Sequence, residues 1–110
     1  MPSPVPDVIT RYFEADAQRD IDAIVALFTE DAVVIDEGET WRGISKIRAW
    51  REGPAARYQY TTEVLGTDRR GDDEYLVASR LEGNFPGGTA ELGWRFTLAG
   101  DRIRQLHIAP

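Results

Sequence analysis

The chain has 110 residues, 42% hydrophobic and 10% aromatic, enough for one hydrophobic core and too few for two, so it reads as a single domain over residues 1–110. Its 19 acidic residues against 13 basic ones leave a net charge of −6, which repels phosphate backbones and argues against a nucleic-acid partner. No apolar run approaches the roughly 20 residues that cross a bilayer, the opening MPSPVP lacks the basic and apolar parts of a secretory leader, and the absence of cysteine with only one histidine excludes thiolate and histidine-rich metal sites. A cytoplasmic protein with no metal and no membrane association is the expectation.

Residues 1–5 read as a loose arm. Pro6 fits the first turn of a helix, and Asp7 complements the positive end of its dipole. With Val5 at its start, the stripe Val8, Ile9, Tyr12, Phe13 and Asp16 falls at helical spacing. Asp16 is the misfit; it is read as the point where the stripe runs out toward solvent, the sharper alternative being a second acid one turn from Tyr12. Asp20 is the expected N-cap of a second helix with Ile21, Ile24, Val25 and Phe28 buried, which Thr29-Glu30-Asp31 would end.

Ala32-Val33-Val34-Ile35 fits a buried strand, and Asp36-Glu37-Gly38-Glu39 a turn into Thr40-Trp41 on a return strand. Gly43 breaks that strand. Residues 44–51 then form a third helix with Ile44, Ile47 and Trp50 on the buried side and Lys46, Arg48 and Arg51 as charge elsewhere, stopped by Gly53-Pro54.

Beyond residue 58 the period changes from 3.6 to 2. Tyr58, Tyr60, Thr62 and Val64 share one face; after a turn over Asp68–Asp73, Tyr75, Val77, Ser79 and Leu81 share another. Asn84-Phe85-Pro86-Gly87-Gly88 is the next turn. Ala90, Leu92, Trp94, Phe96 and Leu98 then alternate with polar partners, and Gly100-Asp101 leads into a last strand with Leu106 and Ile108 near the core. His107 falls on the outer face or at a subunit contact, and Arg80 and Glu82 on an exposed sheet face. Three helices followed by a mostly antiparallel, curled sheet make an α+β fold with a cavity between the layers suited to a small molecule.

The pattern VITRYFEAD, RDIDAIVALFTEDAVVID, WRG and four antiparallel strands resembles the nuclear transport factor 2-like superfamily, and within it the SnoaL-like and ketosteroid isomerase-like group. The resemblance implies a cone-shaped, mixed sheet wrapped over three N-terminal helices. It also implies a cofactor-free enzyme of the isomerase or cyclase kind, a small apolar or polycyclic ligand, and a homodimer.

Residue by residue, the resemblance puts Tyr12 on the oxyanion-binding tyrosine, Asp36 on the general base and Trp50 on an aromatic pocket wall. Asp16, Trp41, Tyr60, Ser79 and Trp94 join as candidate ligand-binding residues. Two positions depart from the family: Trp94 stands where a second acid donates to the oxyanion, and Glu37 replaces a proline after the base. In ketosteroid isomerase that second acid is a carboxyl kept neutral by its apolar surroundings so that it can donate, and this chain has no such group at the matching position. Competing readings are a non-catalytic ligand-binding or dimeric assembly domain, and an epoxide hydrolase-like site, ranked last because no inward arginine with a clear acid partner is evident.

Overall fold

The computed structural model describes residues 5–53 and 59–110, so Tyr58 and Pro54 of the expected elements lie outside it. Helices α1 (Asp7–Gln18) and α2 (Ile21–Ala26) lead into β1 (Phe28–Asp36), β2 (Glu39–Arg42) and α3 (Ile44–Glu52). The long strands β3 (Tyr60–Arg69), β4 (Glu74–Gly83), β5 (Thr89–Ala99) and β6 (Arg102–Ala109) follow. They form one six-stranded sheet in the order β2-β1-β6-β5-β4-β3. All neighbours are antiparallel except β1 and β6, which run parallel, so the sheet is mixed as expected.

Local chemistry explains the helix ends. Pro6 sits one place earlier than expected, as the residue that caps α1, while Val5 precedes the helix and is exposed. Asp20 caps α2 as read, its carboxylate accepting from the Ala23 amide at 3.1 Å. That helix is shorter than expected: it ends at Ala26, and Thr29-Glu30-Asp31 belong to β1. The pairing of β1 with β6 steps from Phe28↔Ile103 to Val33↔Gln105, a wide bulge that lets those three polar residues bow away from the core while Phe28, Ala32 and Val34 stay buried.

The inner face of the sheet was legible from alternation. Val77, Ser79 and Leu81 of β4, Trp94, Phe96 and Leu98 of β5, and Ile103, Leu106 and Ile108 of β6 are buried against Val8, Ile9, Tyr12, Ile24, Ile47 and Trp50 of the helices. A bulge between Thr97 and Leu98 in the β5–β6 register explains why Ile103 and Leu106, three residues apart, both face inward. The far half of β3 departs from the pattern. It is the edge strand, its register slips between Val64 and Gly66, and Val64 and Leu65 are both exposed.

The β1–β2 hairpin closes through Glu37 (φ 53°) and Gly38 (φ 78°), the two-residue turn that requires positive φ at both positions. Proline, whose φ is locked near −65°, cannot occupy position 37 in this backbone, which accounts for the departure there. Glutamate is itself uncomfortable in the left-handed region. Glu37→Asn is therefore expected to raise unfolding stability by about 0.5–1 kcal/mol in a denaturant titration, with an unchanged m-value.

Candidate active site

The sequence placed two misfits on otherwise apolar stripes, and the fold brings them together. Asp16 follows Val8 and Tyr12 at intervals of four along the buried face of α1. Arg51 follows Ile44 and Ile47 at i+7 and i+4 along the buried face of α3, so it is not one of the solvent-facing charges expected there. Each is 4% exposed. The Arg51 Nη2 to Asp16 Oδ1 distance is 2.8 Å, and the Tyr60 hydroxyl donates to the same carboxylate oxygen at 3.2 Å. The expectation that Asp16 drifts to solvent is corrected, because the guanidinium makes burial of the carboxylate tolerable. So is the expectation that no inward arginine has an acid partner.

Arg51 and Tyr60 line a cavity of about 340 Å³, and Asp16, bonded to both, is not in its lining; the volume is within the range of small-molecule sites. Asp36 and Glu37 line it at the end of β1, Trp50 and Arg51 from α3, and Tyr60 from β3, while Leu81, Phe85, Pro86, Ala90, Leu92, Trp94 and Ile108 supply apolar wall. Asp36 is held by the Trp50 indole, whose N–H donates to Oδ2 at 3.0 Å. Burial pushes the Asp36 carboxyl above the usual carboxylate range; the Trp50 bond and the Arg51 charge pull against that, and the Glu37 charge adds to the rise. The guanidinium of Arg51 also stacks over the Trp50 ring at 5.4 Å. Burial works against the Arg51 charge, and Tyr12, Asp16 and Tyr60 around it more than offset that, so it stays protonated.

The other candidates lie behind the cavity or away from it. Tyr12 is fully buried in a cluster of rings, with Phe13, Phe28, Trp94 and Phe96 at centroid distances of 5.4, 6.3, 5.9 and 5.5 Å. It does not line the cavity. Among the described residues its hydroxyl has no hydrogen-bond partner, and burial raises its pKa well above the ordinary 10, with the Arg51 charge opposing. Trp94 presents its ring to the cavity, but its indole N–H donates to the buried Ser79 Oγ at 2.5 Å, so that donor is already engaged. Ser79 serves Trp94 and is not in the lining. Trp41, opposite Val34 in the β1–β2 pair, lines a separate shallow groove with Glu39, Thr40, Arg42 and Lys46.

Tyr60 is where it is because of Gly83. The two residues are paired across β3 and β4, and a Cβ at position 83 would meet the Gln59 carbonyl and come within 2.7 Å of the Tyr60 Cβ. Only glycine admits that approach. Burial, then the Asp16 charge, raises the Tyr60 pKa, with Arg51 lowering it. Arg19 packs over the outside of the same ring at 5.2 Å. Among the described residues no group of three or more His, Cys, Asp or Glu side chains could hold a metal ion, and no helix is long and apolar enough to cross a membrane.

A family model described as a SnoaL-like domain matches residues 9–106. The chain belongs to the SnoaL-like family. Among solved structures, this SnoaL-like domain is 36% identical to protein SMa1630 from Sinorhizobium meliloti, named a "putative polyketide cyclase", with a TM-score of 0.89 over 96% of this chain and 95% of that one. A Catenulispora acidiphila protein with a ketosteroid isomerase-like fold, in complex with trimethylamine, is 18% identical, with a TM-score of 0.85 over 97% of this chain and 87% of that one. The epoxide hydrolase/cyclase-like enzyme SalBIII, which acts in pyran ring formation in the polyether salinomycin, is 22% identical, with a TM-score of 0.80 over 93% and 86%. The latter two establish shared fold alone. No functionally curated protein matches the chain.

Two outcomes follow from the geometry. Removing one partner of the buried pair, as in Asp16→Asn or Arg51→Met, is expected to cost about 3–5 kcal/mol in chemical denaturation, and the double variant Asp16→Leu/Arg51→Met to recover most of it. The second concerns pH. The folded state holds the Asp36 proton more tightly than the unfolded chain, so ionising Asp36 costs stability above its raised folded pKa and costs none below the unfolded value. Asp36→Asn should accordingly raise Tm at neutral pH, with the gain disappearing as pH falls through the carboxylate range.

Proposed function

We propose that this SnoaL-like domain is a cofactor-independent enzyme of the isomerase or cyclase kind, acting on a small apolar or polycyclic ketone. Asp36 removes a proton next to the carbonyl, and the positive charge of Arg51 stabilises the oxygen that becomes negative. The observation that carries this reading is the pairing, on the walls of one largely apolar cavity, of a carboxylate with a raised pKa and a buried guanidinium. Enolisation needs those two elements: a base at the carbon and a preorganised positive group at the oxygen. Burial strengthens both, because the Asp36 carboxylate gives up part of its hydration and the guanidinium acts through a medium less polar than water. The 36% identity to a protein named a polyketide cyclase candidate supports the same class.

In this assignment Arg51 takes the oxyanion role that the resemblance gives to Tyr12, because Arg51 borders the cavity and Tyr12 lies behind it in the ring cluster. A second reading, epoxide opening by an internal hydroxyl, gains from the same Asp16–Arg51 pair, as does the water-activating, epoxide hydrolase-like site that had ranked last for the apparent lack of such a pair. In the internal opening Asp36 would take the hydroxyl proton, and the epoxide oxygen would develop its charge beside Arg51. We also infer a homodimer through the outer sheet face, where Leu76, Arg95, His107 and Ile35 lie in one row and Ala78, Gly93 and Ala109 in the next.

A panel of enones, cyclisable polyketones and hydroxy-epoxides, assayed alongside binding of a planar phenol by tryptophan fluorescence, separates these readings. Turnover of a carbonyl substrate is expected to fall about 10²–10⁴-fold in Asp36→Asn with phenol binding retained. It should change less than about tenfold in Tyr12→Phe, whose loss as an oxyanion donor would otherwise cost about 10²–10³-fold. Phenol binding without turnover of any member would instead identify a ligand-binding domain.

A further inference from the structure

We propose that Trp50 is a positioning residue for the base, fixing the Asp36 carboxylate through its indole N–H so that one chosen oxygen is left for the substrate. This rests on the reading of Asp36 as base. An indole has one donor and no acceptor, so it takes one carboxylate oxygen, Oδ2 at 3.0 Å, and makes no claim on Oδ1.

Trp50 can impose that choice because it is itself closely packed. It is 1% exposed, near the C-terminal end of α3. Its ring is covered by the Arg51 guanidinium at 5.4 Å, and that guanidinium is pinned by Asp16 at 2.8 Å. Two consecutive helix residues thus tie the base on β1 to the buried acid on α1, and the Asp16–Arg51 pair bears on Asp36 through the plane of Trp50.

Around Asp36 the other charged or titratable groups among the described residues are Glu37 beside it in the turn, Glu39 opposite it on β2, Arg51 from α3 and Tyr12 from α1. None of them donates a side-chain hydrogen bond to it among the described residues; the backbone of Glu37 adds a contact of its own. A tryptophan that served only as cavity wall would use its ring and leave the N–H idle or in solvent. Here the N–H supplies a side-chain hydrogen bond to the carboxylate and acts with the Glu37 backbone on how it is turned.

The test uses the intact chain and does not depend on knowing the substrate. Titrating the Asp36 carboxyl carbon and the Trp50 Nε1–H by NMR should show both moving with one midpoint. In Trp50→Phe, which keeps an aromatic wall and loses the donor, the Asp36 midpoint should rise, because the bond that favours the ionised form is gone. An Asp36 midpoint unchanged by Trp50→Phe overturns the proposal. Should Trp50→Phe fail to fold, Asp36→Asn decides: the Trp50 Nε1–H signal is expected to lose that titration step, and its persistence overturns the proposal.

With a substrate in hand, Trp50→Phe should lower kcat by about tenfold or more with KM within about threefold, the split expected when base orientation and not binding is lost. Replacing Trp50 by its benzothiophene analogue, which retains the bicyclic ring and lacks the N–H, should reproduce the Phe result; wild-type titration and kcat in that variant overturn the proposal. A linked titration combined with full turnover in Asp36→Asn would remove the base assignment and leave the hydrogen bond standing, so the two failures are distinguishable.

Discussion

The buried ion pair between Asp16 and Arg51 is the constraint on which the rest of the site depends. A carboxylate and a guanidinium, each almost out of solvent, are tolerable only because they meet at 2.8 Å and because the Tyr60 hydroxyl takes a place on the same oxygen. That meeting ties α1 to α3. Trp50, next to Arg51 on α3, bonds Asp36, and Tyr60, the first residue of β3, reaches the cavity wall where Gly83 lets the strands approach. An apolar pair could hold the helices as well, and replacement of such pairs by well-packed hydrophobes is often stabilising. What it would not provide is a fixed positive charge bordering a cavity lined mostly by indole, phenyl and aliphatic groups.

Among the described residues, two buried polar atoms in this cluster, the Tyr12 hydroxyl and the Arg51 Nε, have no hydrogen-bond partner. Leaving such groups unpaired is unfavourable. Asp36 shares this character. Its ionised form is disfavoured by burial, which raises its pKa, and the Trp50 bond works against that rise.

Much of the architecture was legible in the chain because its periodicities are clean. The two-residue alternation of Val77, Ser79 and Leu81 and of Trp94, Phe96 and Leu98 named the inner face of the sheet, and Asp20 announced the start of α2. The helix-to-strand boundary at Phe28 was not legible, since Thr29-Glu30-Asp31 have the composition of a helix end and only the bulge against β6 makes them strand. At the site, Asp36, Trp50, Tyr60 and Trp94 were named as cavity candidates and all four line it. Arg51 was missed although its spacing from Ile44 and Ile47 marked the buried stripe, because an arginine there reads as surface until an acid on another helix is known to face it. The partner acid, Asp16, was read the same way for the same reason. Each of the two explains the other, and only tertiary packing brings them together.

The central claim is that Asp36 and Arg51 address one ligand from two walls of a single cavity. A crystal structure with a planar phenol, a mimic of the enol, tests it most directly. The account predicts the ligand ring lying between Trp50 and Trp94, its oxygen against the Arg51 guanidinium and its edge in contact with the Asp36 carboxylate, with Trp50 still bonded to Oδ2. A ligand seated elsewhere, or an Asp36 carboxylate turned out of the cavity into bulk water, would contradict it.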